Sequence, residues 1–348
     1  MSTTVSMSPA ELRESTERLP RVSLAHLPTP LEELPRLSER LGGPRIWIKR
    51  DDCTGLLFGG NKARHNEFIL GQAVHRGCDM VVWGAGVQSN NCRQTAAACA
   101  KLGLRCHLVL STSEGTTEVQ GNLLLDYIAG ASVEFTDIPL SPQLWELIGK
   151  KAEEFRAQGR KTFAINDPSV RAAGSASYVL ETAELAEQLN DNEVEPAAVY
   201  VCSCGVTGAG MFLAKKLLGL SCPILSIMPL VWQGDNHALL ADMANKAAGL
   251  MGLEPCMTRD DITLSPDHIG PGYGQPSPAG MEATRLLAQT EGILLDPVYT
   301  AKAFAALIAD IRSGKLRRGQ NVVFIHTGGT PALFAYQRAY EAEFGPKK

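Results

Sequence analysis

Short apolar runs alternate along the chain with longer amphipathic stretches. Residues 80–83, 106–110, 132–135, 198–202, 224–228 and 322–325 have the length and the branched or aromatic content of buried strands, and 46–50 reads the same way. Residues 93–102, 118–128, 143–157, 211–218 and 331–340 read as helices. Alternation of this kind predicts an α/β fold with a parallel sheet and helices on its faces. The segment 265–278, rich in Gly and Pro, fits neither period. It is long for a plain connection, so a functional loop is expected there. No repeat, heptad or low-complexity tract breaks the pattern.

Composition narrows the picture. With 348 residues, 45% of them hydrophobic, the chain is long enough for one large or two medium domains. A net charge of −4 offers no footprint for nucleic acid. No apolar run reaches membrane-spanning length. The first 17 residues are polar and lack the apolar core of a secretion signal. The nine cysteines are odd in number and sit mostly in apolar segments, as Cys99 does, which predicts reduced thiols and a cytoplasmic protein.

The candidate chemistry lies in one lysine and three strand-to-helix turns. Lys62 follows Phe58-Gly59-Gly60-Asn61. The two glycines permit a tight backbone path, and Asn61 can hydrogen-bond a substituent on a flat ring. A lysine desolvated near other cations loses its proton more easily and becomes nucleophilic; the plain alternative is a solvated surface charge. Lys49 lies in an apolar alternation and reads as support for the fold.

Gln88-Ser89-Asn90-Asn91 precedes the helix at 93. Ser and Asn are favoured N-caps, yet four polar residues exceed what a cap needs. Free N–H groups at a helix start also bind anions such as a carboxylate, and the Ser89 hydroxyl could move a proton. The run from Ser203 to Gly210 joins a strand to a helix, with glycines at 205, 208 and 210 that let N–H groups converge on an anion. Its spacing is not the dinucleotide fingerprint, and a ligand-free glycine turn is the alternative. Cys202 and Cys204 have no second pair of matching spacing, so no metal is expected.

The turn from His326 to Pro331 repeats the design. Tyr273 and Tyr299 read either as core or rim residues or as members of the site. In parallel sheets ligands bind outside the carboxyl ends of strands, where all these turns are expected, so they could converge on one site. An amine, a polar helix start and an anion loop are the parts that hold pyridoxal 5'-phosphate as a Schiff base.

The motifs GGNKARHNEF, QSNNCRQTAA, DPVYTAKAF and HTGGTPALFAY resemble the D-cysteine desulfhydrase and 1-aminocyclopropane-1-carboxylate (ACC) deaminase family, over about residues 27–340. These enzymes depend on pyridoxal phosphate and have the tryptophan-synthase β-like fold (fold type II). The resemblance implies two open, twisted, mostly parallel sheets flanked by helices. It implies a small domain at 61–175 set into a large one made of 1–60 and 176–348, and a homodimer. It implies that Lys62 carries the cofactor, that Asn90 bonds its phenolic oxygen and that Cys204, Gly205, Val206, Thr207 and Gly208 cradle its phosphate. Thr327 would sit at the pyridine nitrogen. Ser89, with Gln88, Asn90 and Asn91, would meet the substrate, and Tyr299 would lie beside it with Tyr273 near.

Three positions depart from the family pattern: Thr300 replaces the glutamate of ACC deaminases, Asn91 replaces a common histidine, and His65 replaces a common lysine. The resemblance therefore implies β-elimination from a small amino acid such as D-cysteine, giving pyruvate, ammonia and sulfide. ACC deaminase, L-cysteate sulfo-lyase and D-serine dehydratase chemistry are the alternatives, with a non-catalytic phosphometabolite-binding protein as a different class.

Overall fold

A computed structural model of the protein describes residues 6–113 and 115–345; the first five residues of the polar amino terminus lie outside it. The chain opens with α1 (Pro9–Thr16), β1 (Leu31–Glu33), α2 (Pro35–Leu41) and β2 (Arg45–Lys49). It continues through α3 (Lys62–His75), β3 (Met80–Gly86), α4 (Asn90–Leu102), β4 (Arg105–Ser111), α5 (Gly121–Ile128), β5 (Ser132–Thr136), α6 (Pro142–Ala157) and β6 (Thr162–Ala164). Then follow α7 (Pro168–Asp191), β7 (Pro196–Cys202), α8 (Val206–Leu218), β8 (Ile224–Ile227) and α9 (Asn236–Leu250). The last elements are β9 (Leu264–Ser265), α10 (Pro278–Glu291), α11 (Thr300–Arg312), β10 (Asn321–Ile325) and α12 (Gln337–Phe344).

Among the described residues the strands form two sheets, ordered β1-β2-β10-β7-β8-β9 and β5-β4-β3-β6. Every pairing is parallel except that of β1 with β2. Strands buried on both faces read as continuous apolar runs, and alternate residues serve two cores. Val199, Val201, Val323 and Ile325 pack under α7, α8 and α9. Ala198, Tyr200, Cys202, Val322 and Phe324 face the other way, towards α10 and α11. The second sheet has its own core, centred on Val81, Val82, Leu108 and Leu110.

Five long helices, α3, α7, α9, α10 and α11, carry no expectation from the sequence, and the burial of α3 and α7 shows why. Nearly every residue of α3 is buried, polar Arg64, His65, Asn66 and Glu67 included, so no amphipathic stripe marks it. In α7 the residues from Ala172 to Val179 are buried all round, between α3 on one side and α8 and α9 on the other. The helix expected at 331–340 is in fact a 3₁₀ stretch, Thr330–Tyr336, followed by α12. Its first bond runs from the Ala332 N–H to the Gly329 oxygen, three residues back. The helix expected from residue 118 starts at Gly121, because Gln120 is extended (φ −154°, ψ 168°); its carbonyl accepts from both the Leu124 N–H and the Gln88 side chain. The segment 266–277 is irregular, as its composition predicts. All nine cysteines are unpaired.

The sheets place the candidate turns. β2 leads into the Lys62 loop, β3 into Ser89–Asn91, β7 into the 203–208 loop and β10 into Thr327. Each turn leaves the carboxyl end of a parallel strand, where loop backbone is free to meet a ligand.

Candidate active site

Lys62 is the first residue of α3 and lines a cavity walled by both sheets. The chain reaches it by an unusual path. Leu56, Leu57 and Phe58 have φ of 52°, 47° and 66°, a left-handed conformation that costs an L residue about 1–2 kcal/mol. Buried Arg93 holds this path. Its guanidinium donates to the Leu57 carbonyl and, at 3.1 Å, to that of Gly59, while its Nε bonds Asn122 Oδ1 at 2.8 Å. Gly60, at φ +124°, exchanges two 2.8 Å bonds with the Thr54 hydroxyl. A Cβ on Gly328 would stand 2.6 Å from Gly60 Cα, so the Lys62 and Thr327 turns approach at backbone distance.

Burial lowers the Lys62 ammonium to about 8, and nearby Arg171 pushes it the same way. Cys204 and Cys202 would oppose this only as thiolates. Burial raises Cys204 to about 11 and Cys202 well above its usual value, so both stay neutral and add no charge. His65, one turn along α3, is pushed well below the usual imidazole range by burial, then by Lys62 and Arg64. Asn61 donates to the Thr207 hydroxyl at 2.9 Å, and His65 Nε2 lies 3.1 Å from the same oxygen. With Asn61 donating, Thr207 is left to donate to Nε2, which makes His65 neutral and protonated on Nδ1. Where a lysine would bring charge, His65 brings a hydrogen bond.

The 88–91 turn divides its labour. Ser89 caps α4, accepting from the Cys92 N–H at 3.2 Å, and also lines the cavity. Asn90 Oδ1 accepts from Asn122 at 2.8 Å, and Asn90 and Asn91 both line the cavity. Gln88 does not. Its side chain bonds the Gln120 carbonyl at 3.1 Å and the Asn122 N–H at 2.8 Å, bracing the start of α5.

The glycine loop is likewise split. Gly205, Val206 and Thr207 line the cavity, and a Cβ on Gly205 would meet nothing within 4 Å. Trp232 Nε1 fixes the Cys204 carbonyl at 3.0 Å. The Gly208 N–H is taken by Ser203 Oγ at 2.9 Å, away from the cavity wall. Gly210 turns its back on the site: a Cβ there would lie 2.2 Å from the Ser175 carbonyl, so this glycine lets α8 pack on α7.

Tyr273 and Tyr299 meet with hydroxyls 2.7 Å apart and rings at 80°, and both line the cavity. Burial raises both phenols above their usual range, so they stay protonated. The carboxylate of Asp296 sets this turn by accepting from the N–H groups of Val298, Tyr299 and Thr300. Thr300 spends its hydroxyl on the same carboxylate at 2.8 Å and does not line the cavity, whereas Thr327 does.

A family model described as "Pyridoxal-phosphate dependent enzyme" matches residues 22–328. The chain belongs to this family of pyridoxal-phosphate-dependent enzymes. It is similar to D-cysteine desulfhydrase of Klebsiella pneumoniae (strain 342), 39% identical over 328 residues that cover 93% of this chain and 98% of the relative. The D-cysteine desulfhydrase of Salmonella newport (strain SL254) is 38% identical, covering 92% and 97%. The crystal structure of an ACC deaminase homologue matches with a TM-score of 0.86 at 33% identity, over 97% of this chain and 99% of that one. Apo diaminopropionate ammonia lyase of Escherichia coli shares the fold, with a TM-score of 0.66 at 16% identity over 99% and 92%.

The family's cofactor fits this cavity. The open space over Gly205 and the first N–H groups of α8, which lack intrahelical partners, suit a phosphate. Four residues had no signal as site members in the motifs: Trp145, Trp232, Arg171 and the strut Asn122. Arg171 alone breaks a local rule, as a cation in the first turn of a helix, against the helix dipole.

Proposed function

We propose that this enzyme is a lyase that removes the β-substituent of a small amino acid, in the manner of D-cysteine desulfhydrase, releasing pyruvate, ammonia and, from D-cysteine, sulfide. One observation carries the reading. Lys62 is half-buried, its amine brought down to about 8 by burial, and it lines a cavity that, among the described residues, has no Asp or Glu in its wall. Pyridoxal phosphate, when bound, supplies an electron sink for charge developing at Cα. Lys62 would hold it and then take the Cα proton as general base. Gly205, Val206 and Thr207 would receive the phosphate, with Cys204 and Gly208 shaping the loop and Asn61 ordering Thr207. Asn90 would bond the phenolic oxygen and Thr327 would face the ring nitrogen. Ser89, Asn90 and Asn91 hold the substrate carboxylate at the start of α4. The Tyr273–Tyr299 pair, protonated, can give a proton to the departing group.

Ring opening of ACC leaves a carbon that must be protonated while charge is stored in the ring, which a carboxylate at the ring nitrogen would favour. Thr327 supplies no countercharge. In β-elimination the bond to the substituent takes the electrons away. Purified enzyme given D- and L-β-substituted alanines and ACC is expected to yield pyruvate and ammonia from at least one alanine. 2-Oxobutyrate from ACC with no pyruvate from any alanine would overturn the reading.

The same reading takes 61–175 as the small domain, 1–60 with 176–348 as the large one, and a cytoplasmic homodimer as the assembly. Exposed Ile128 at the end of α5 and Phe334 in the adjoining 3₁₀ stretch, 66% and 64% accessible, offer an apolar patch for a second copy. Sedimentation should give a dimer that Ile128→Glu with Phe334→Glu dissociates; an unchanged sedimentation coefficient would move the interface elsewhere.

A further inference from the structure

Hydrogen bonds at the start of α5 decide which way the Asn90 carboxamide faces. Asn122, the second residue of α5, is fully buried. Its Oδ1 accepts from Arg93 Nε at 2.8 Å, and its Nδ2 donates to the Gln88 carbonyl and to Asn90 Oδ1, each at 2.8 Å. A carboxamide can be turned over without changing its shape, so its partners fix its orientation. Arginine only donates, and a backbone carbonyl only accepts. Asn122 therefore has one orientation, with its NH2 towards Asn90. Asn90 must then present its oxygen to Asn122 and send its own NH2 the other way.

That other way leads to the cofactor cavity. Asn90 lines it together with Lys62 and Thr327. A Cβ on Gly329 would stand 2.8 Å from Asn90 Nδ2, which puts this nitrogen against the turn that carries Thr327. Among the described residues no protein acceptor takes its protons. Asn122 is itself held on several sides. Gln88 grips it a second time, its Oε1 accepting from the Asn122 N–H at 2.8 Å. Gly121 makes room for this grip: its φ is 54°, and a Cβ there would lie 2.5 Å from Gln88 Oε1. Arg93 carries the network on to the Gly59 carbonyl at 3.1 Å, in the loop that delivers Lys62. One buried network thus fixes both the lysine loop and Asn90.

We propose that Asn122 is a positioning residue for the cofactor: it locks the Asn90 carboxamide with its NH2 towards the phenolic oxygen, and so sets the pH at which the bound cofactor changes colour. This rests on the reading that Asn90 meets that oxygen. A donor aimed at the phenolic oxygen favours its anionic form. With the donor turned away, that oxygen and the Lys62 nitrogen linked beside it hold their shared proton more tightly, and the midpoint of the colour change moves up.

The test compares wild type with Asn122→Asp, Asn122→Ala, Asn90→Ala and Leu123→Ala. In Asn122→Asp only oxygens face Asn90, which must turn its NH2 back towards them and its oxygen towards the cavity. Spectral titration of the holoenzyme should find the colour midpoint raised by about one pH unit. Asn122→Ala, which frees the carboxamide to turn, should shift it the same way by less, and it decides the matter should Asn122→Asp not fold. On an Asn90→Ala background Asn122→Ala should add no further shift. Leu123, a fully buried neighbour on α5, lies outside the network; Leu123→Ala should lower the denaturation midpoint and leave the colour midpoint in place. Apoenzyme is also titrated with pyridoxal phosphate and with its analogue lacking the phenolic hydroxyl. The preference for the former should fall about tenfold in Asn90→Ala and in Asn122→Asp alike. A preference unchanged in Asn90→Ala would remove Asn90 from the phenolic oxygen, and the proposal would fall with that reading. A preference that falls in Asn90→Ala and survives in the Asn122 variants, or a colour midpoint that they leave unmoved or that Leu123→Ala moves equally, would overturn the proposal alone.

Discussion

Lys62→Ala is expected to abolish covalent attachment of the cofactor and to lower β-elimination by a factor on the order of 10⁴, the upper range for losing a positioned base, while the protein stays folded. Lys62 is the first residue of a helix and its amine makes no hydrogen bond within the protein among those described, so its removal leaves no broken network. The absorption of the yellow holoenzyme should vanish, and borohydride-reduced wild type should carry its mass adduct on Lys62. Lys49 cannot substitute: it is buried against the Thr29 carbonyl at 2.8 Å, Glu184 at 2.5 Å and Gln188 at 2.7 Å. An adduct on Lys49 or any other lysine would refute the assignment.

The pH dependence follows from the same amine. Only the neutral form attacks the cofactor's aldehyde, and burial brings the midpoint from the ordinary 10.5 to about 8. Below about 8 the neutral fraction falls tenfold per pH unit; above it the fraction saturates. Reconstitution of apoenzyme should therefore speed up as pH rises to about 8 and level off beyond. A rate still climbing steeply at pH ~10 would mean that Lys62 is solvated.

The second large effect is expected from Arg93→Met. The side chain keeps its length but loses every donor, leaving the carbonyls of Leu57 and Gly59 and the Asn122 oxygen without their partner. At about 1–3 kcal/mol for each unsatisfied buried acceptor, the loss should reach at least about 3 kcal/mol. The backbone at Leu56–Phe58 is strained, and Arg93 is what holds it. Buried Asp126 adds to the effect: burial has already pushed its carboxyl up to about 8, and Arg93 is the cation that opposes this. Denaturant titration should show the loss, and cofactor affinity should fall with it because the loop delivers Lys62. A wild-type midpoint would show that the left-handed segment stands without its clamp.

Much of this architecture is legible in the order of residues. The apolar runs at 198–202 and 322–325 declare strands buried on both faces, because a parallel sheet covered by helices leaves no polar face. The Lys62, Ser89 and Thr327 turns show themselves through glycines and small polar residues at strand ends, where local backbone geometry selects the residue type. Those signals are short-range, so they survive in sequence alone.

Tertiary structure decided the rest, because it depends on which distant element faces each side chain. Gln88 and Ser89 are neighbours with similar chemistry, yet one meets Gln120 and Asn122 while the other meets the cavity. Gly205 and Gly210 belong to one motif, but only the second is opposed by the Ser175 backbone. α3 and α7 are buried on nearly every side, which erases the periodicity that would announce them. Arg93 reaches carbonyls 34 and 36 positions back in the chain. Arg171 reads as an ordinary helix cation until the fold brings Trp145 to its face and no carboxylate to its edge. Charge in a sequence says what a residue can bind, and only packing says whether the protein has already supplied the partner.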